Sequence, residues 1–192
     1  MRLPYVTDPP PAATPEEAAI IEAVRARRAP RPLQPLDLTL LHSPPVTLGW
    51  NHFLSAIRTS TSIPPDLREL AISRVAVVNR AWYEWMHHAP LASAAGVSDA
   101  GMEACKDAAP ALLESGCPAG LTETQWLVLC YADEMTRNVE VRGEVFERVR
   151  GEFGERGTVE VTATIACYNC VSRFLVALDI GEKNGTGPDA AH

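Results

Sequence analysis

Apolar residues recur at three- and four-residue spacing along most of this chain, and that period predicts helices. "TPEEAAIIEAVRARR" opens with the signature of a capping box: Thr14 as N-cap, Pro15 at the first helical position and Glu17 two further on. "LDLTLLHSPPV" and "TLGWNHFLSAIRTS" predict short helices broken at Pro44–Pro45. "PPDLRELAISRVAVVN" is apolar almost all round, the mark of a buried central helix. "AWYEWMHHAPLASAAG" continues at helical spacing to Gly96. Pro90 should kink it, because it offers no N–H to the Met86 carbonyl. A weaker helix follows in "SDAGMEACKDAAPALL". "TETQWLVLCYADEMTRN" has a second capping box, Thr122 with Gln125, and a stop at Asn138. "EVRGEVFERVRGEFG" predicts a short amphipathic helix, and "TVEVTATIACYNCVSRFLVALDIG" a long apolar one ending at Gly181. Period-two alternation is brief ("TVEVT"), with no hairpin dipeptide between apolar runs. The fold class expected is all-α. Residues 1–13, rich in proline, read as an extended arm, 14–181 as a single helical domain and 182–192 as a flexible tail.

Composition narrows the function classes. The 192 residues are enough for one domain with a substantial core. A net charge of -7 excludes nucleic acid as the expected partner, since no basic patch can displace counterions from phosphates. "RARRAPR" is the lone basic cluster, placed where cations complement the end of the first helix. No apolar run reads as long enough to span a bilayer, and no hydrophobic signal core opens the chain, so a cytoplasmic location is expected. The five cysteines are an odd number in a chain that needs no staples, and are expected to be reduced and mostly buried.

Candidate chemistry concentrates on "NRAWYEWMHHAP". Glu84 and His88 are four apart and share one helix face, with His87 close by. On the preceding helix, Glu69 and Arg74 stand among apolar residues. A carboxylate in apolar surroundings titrates upward, and a histidine beside a carboxylate is held oriented, which is what proton transfer near neutral pH needs. Spacing alone also permits a plain solvated Glu84–His88 pair. A metal is not expected: adjacent histidines point about 100° apart on a helix, which suits one ion poorly.

The run "LRELAISRVAVVNRAWYEWMHHAPLASAAGVSD" resembles the alkyl hydroperoxidase D and carboxymuconolactone decarboxylase family over about residues 66 to 98. The peroxidase branch reads Arg-Glu-Leu-x-Ile-Leu-Arg-Val-Ala-x-x-Asn-Gly-Cys-x-Tyr-Cys-x-x-x-His. On this chain its glutamate is Glu69, its arginine Arg74, its asparagine Asn79, its tyrosine Tyr83 and its last histidine His88. The cysteine positions fall on Ala81 and Glu84, so the thiolate that attacks peroxide is missing from the motif. The decarboxylase branch carries Glu-Phe-x-x-His there, and Glu84 with His88 looks like that pattern. The resemblance implies an alkyl hydroperoxidase D-like helical bundle with the motif region at about 44–125. It implies cofactor-free decarboxylation of a small lactone or β-keto acid, and a homo-oligomer, trimeric or hexameric. It makes Glu84, His88 and Glu69 the expected catalytic groups. Substrate contacts would come from His87, Arg74, Tyr83, Asn79 and Trp82, with Trp85, His52 and Trp50 as further walls. Arg74 is also expected to pair with Glu69, because buried charges need partners.

Cys167 and Cys170 form a C-x-x-C late in an apolar helix, where no helix N-terminus lowers a thiol pKa. Burial as small apolar residues is the expected account. Two alternatives stay open: a thiol peroxidase built on that pair, and a helical binding or scaffold protein without chemistry.

Overall fold

The computed structural model describes residues 1–190. Among them the chain forms eight α-helices and no strand, as the helical period implies. Its contacts divide it into two compact units.

The first unit is Met1–Ser60 with Leu178–Glu182. α1 (Pro15–Arg28) starts where the Thr14 hydroxyl accepts the Glu17 N–H at 3.2 Å. The Glu17 carboxylate reaches one residue beyond the expected box and accepts from the Ala13 N–H at 2.7 Å. α2 (Pro35–Leu40) is followed by α3 (Pro44–Ser55), which runs into a single π turn at Ala56–Ser60. Pro44 and Pro45 thus open a helix rather than break one, since first-turn N–H groups have no intrahelical acceptor to lose. Ile21, Val24, Leu33 and Leu41 form the unit's small core. Beside it Asp37 is 1% exposed and accepts from Arg28 Nε at 2.6 Å and Arg27 at 2.9 Å. The basic cluster therefore neutralises a buried carboxylate, a role that its place at a helix end did not reveal. The first residues are tied into this unit by Arg2 N–H to the Leu178 carbonyl, 2.8 Å, and Val6 N–H to that of Leu38, 3.3 Å.

The second unit is Thr61–Ala177 with the described residues from Lys183 onward. It contains α4 (Pro65–Val78), α5 (Trp82–Ala94), α6 (Asp99–Lys106), α7 (Glu123–Asn138) and most of α8 (Gly143–Leu178). α4 is its axis: Leu70, Ile72, Val75 and Ala76 are all fully buried. Each such branched side chain taken from water is worth about 1.5–3 kcal/mol. Two contacts set α7 beside α4. Gln125 donates to Asp66 at 3.0 Å, and Arg74 donates to Asp133 at 2.7 Å. The residues rise together along both helices, so α4 and α7 run in the same direction.

A tight turn joins α4 to α5. Ala81 N–H bonds to the Ala76 carbonyl at 2.8 Å and Arg80 N–H to that of Val77 at 3.1 Å. This is a Schellman motif, and it places Arg80 in the left-handed region at φ 53°. α5 then runs as one helix through Pro90 to Ala94. Its end repeats the same turn, Val97 N–H to Ala92 and Gly96 N–H to Ser93, with Gly96 at φ 110°.

α8 joins the two helices expected from its sequence across Gly154, where φ 64° and ψ -175° interrupt helical geometry. Contrary to expectation, α8 is long and apolar enough to cross a membrane by length and composition. Within this unit, however, 44% of its most apolar stretch is buried, and Val161, Ile165 and Tyr168 are core residues.

Candidate functional site

α4 and α5 pack so that Glu69 and His88 face one another. His88 Nδ1 lies 2.7 Å from Glu69 Oε2, and the two residues are 7% and 6% exposed. An ionised carboxylate can only accept, so Nδ1 carries the proton in this contact. Arg68 donates from Nε to the other Glu69 oxygen at 3.2 Å. Burial pushes the Glu69 carboxyl up, but the hydrogen bond and charge of His88, and then those of Arg68, hold it below its ordinary value. Tyr168 of α8 packs against the His88 ring in a T-shaped arrangement, with centroids 4.9 Å apart at 81°.

The second carboxylate is braced from α8. Glu84 is 2% exposed, and the Ser172 hydroxyl sits 3.0 Å from each of its oxygens. His88 Nδ1 is engaged by Glu69, across the α4–α5 contact. Both carboxylates and the imidazole are thus held inside the unit, each by a group from another helix.

Other expected residues sort differently. Arg74 is 1% exposed and spends its guanidinium on protein. Nε donates to Asp133 at 2.7 Å, Nη1 to the Cys105 carbonyl at 2.8 Å and to that of Asp107, and Nη2 to that of Ala109 at 2.6 Å. The expected Glu69 partner lies five residues back, about 140° around the same helix, and cannot share its face. Nor is a donor left to face a substrate. Tyr83 is buried, and its carbonyl accepts from Nδ1 of the exposed His87 at 2.7 Å, with their rings 4.5 Å apart. Asn79 donates to Asn169 of α8 at 3.1 Å. Trp85 packs in the core and donates to the Pro188 carbonyl at 3.0 Å. His52, exposed, and Trp50, half-buried, belong to α3 in the first unit. Asn79 and half-buried Trp82 line a cavity of about 680 Å³ together with Arg80, Val176 and the 184–188 segment.

The thiols lie apart from this constellation. Ala81 fills the first expected cysteine position and is 1% exposed. Burial pushes the thiols of Cys105 and Cys130 up to about 12. Cys167 is buried as expected, but Cys170, one turn on along α8, is exposed rather than buried. Among the described residues no three His, Cys, Asp or Glu side chains gather as a metal-holding group. Tyr168 and Ser172 were missed in the sequence. The signal for them was present: two polar side chains, four apart, inside an otherwise apolar helix.

Residues 44–114 match the model of the Carboxymuconolactone decarboxylase family. The match begins with α3 and takes in Glu69, Glu84 and His88. No curated protein matches the chain. Among solved structures, an uncharacterized peroxidase-related protein from Silicibacter sp. TM1040 is similar over 95% of both chains, with a TM-score of 0.70 at 16% identity. That likeness establishes the helical fold and leaves the chemistry to the residues.

Proposed function

We propose that the protein is a cofactor-free lyase of the decarboxylase type, acting on a small lactone or β-keto acid by Glu/His acid–base chemistry. The observation that carries this reading is the buried Glu69–His88 pair, 2.7 Å between Oε2 and Nδ1. Glu69 fixes the ring orientation and places the Nδ1 proton, which assigns proton exchange with substrate to Nε2. In the reaction the bond to the substrate carboxylate breaks and CO2 leaves. The electron pair passes into the neighbouring carbonyl, giving an enolate that an imidazolium stabilises at oxygen. A proton then returns to carbon from His88 or the Glu84 carboxyl, and solvent restores it. Glu84 is a catalytic candidate with its position set by Ser172. The matched family model supports the assignment at the level of the domain.

The test is CO2 release from carboxymuconolactone and a panel of β-keto acids, with wild type, Glu84→Gln and His88→Ala. Release that both substitutions abolish is the expected result. Peroxide turnover lost in Cys170→Ser, with no CO2 from any substrate, would replace the lyase with a thiol peroxidase. The opposite exposures of Cys167 and Cys170 weigh against that outcome.

A further inference from the structure

The cavity of about 680 Å³ beside the start of α5 has the size of a small-molecule site. Among the described residues, Arg80 is the one ionised side chain on its lining, in a chain whose net charge is -7. Lys183 lines the adjoining recess, which shares Trp82, Thr186, Gly187 and Pro188 with the cavity. Among the described residues no carboxylate lines either space. Trp82 supplies an aromatic wall, and Val176 an apolar one.

The backbone says why Arg80 matters. α4 and α5 end in the same Schellman turn, and each needs a left-handed residue just after its C-cap, two past the last helical residue. α5 uses Gly96, for which that conformation is unstrained. α4 uses an arginine at φ 53°, which glycine would serve at lower conformational cost. The turn therefore does not account for the residue. Among the described residues its guanidinium has no carboxylate partner in hydrogen-bond range, so the side chain is not explained by an internal ion pair either.

We propose that this cavity binds a small aromatic carboxylate, with Arg80 holding the carboxylate and Trp82 packing against the ring. A planar guanidinium matches a carboxylate with two parallel hydrogen bonds, and an indole face suits an aromatic ligand. Lys183 adds attraction at the rim. The site stands independently of the acid–base reading of Glu69, Glu84 and His88, and binding is measured without turnover.

The experiment is titration of the full chain with naphthoate and, separately, its neutral analogue naphthamide, by calorimetry and amide NMR. Wild type should bind naphthoate saturably, with shifts confined to residues 79–82, 176 and 183–188, and naphthamide at least ten-fold more weakly. Arg80→Gly should lose at least ten-fold in naphthoate affinity while its melting temperature stays level or rises. Arg80→Gln, which keeps side-chain bulk, should show the same loss. Absence of saturable naphthoate binding, equal affinity for naphthamide, or intact binding by either variant overturns the proposal. A lowered melting temperature for Arg80→Gly overturns it as well, because the arginine would then be structural.

Discussion

Glu69 and His88 come from successive helices and meet at 2.7 Å, with both side chains out of water. Their contact makes stability depend on pH in a definite direction. Glu69 is held below its ordinary value near 4.5, so its contribution is complete above that value and is lost as pH falls through the folded-state pKa. Hydrogen bonds to charged groups contribute about 1.5–3 kcal/mol. Glu69→Gln should therefore melt below wild type at pH 5, by about 1.5–3 kcal/mol in stability. The margin should shrink below about pH 4.5. Thermal melts followed by circular dichroism check this; a margin that widens in acid would mean that the carboxyl is raised, not lowered.

The helices themselves were legible because each is written in a local period, and caps such as Thr122 with Gln125 fix their ends. The site was half legible for the same reason. Glu69, Glu84 and His88 announce themselves as ionisable groups inside apolar runs. Their partners do not, since Ser172 reaches Glu84 across 88 positions and Asp133 reaches Arg74 across 59. No spacing rule ranges that far. Where a local rule was pressed into service, as in pairing Arg74 with Glu69, helix geometry already spoke against it.

Arg74 is a structural residue by its contacts. Replacing it with methionine keeps the volume but leaves Asp133 without its shortest partner and three backbone carbonyls without a donor. Removing one member of a buried ion pair costs about 3–5 kcal/mol. Arg137 also donates to Asp133, at 2.8 Å, which places the expected loss toward the lower figure. Urea denaturation should show the midpoint falling accordingly. In whatever activity assay applies, the folded fraction of Arg74→Met should keep an unchanged KM; a raised KM at full folding would return Arg74 to the substrate.

Ser172 gives a sharper probe of the second carboxylate. Ser172→Ala takes away a hydroxyl that lies within 3.0 Å of both Glu84 oxygens in a fully buried setting. Loss of one donor to a buried charged group is worth about 1–3 kcal/mol. In a double-mutant cycle with Glu84→Gln, the two changes should couple by roughly 0.5–3 kcal/mol. Additive effects would show that the hydroxyl does not brace Glu84 in solution.

Two glycines of α8 should respond oppositely to the same substitution. Gly154, at φ 64° and ψ -175°, lies in a region open essentially to glycine alone. A Cβ there meets nothing within 4 Å, so any penalty for Gly154→Ala comes from the backbone rather than from packing. That penalty should be about 1–3 kcal/mol. Gly151 sits three residues earlier within the helix, and a Cβ there also meets nothing within 4 Å. With ordinary helical geometry, Gly151→Ala should gain about 0.5–1 kcal/mol by restricting the unfolded chain. Denaturation of the two variants side by side separates conformation from contact. If Gly154→Ala were as stable as Gly151→Ala, the two halves of α8 would be one continuous helix in solution, and the apolar half would no longer be set apart by a break.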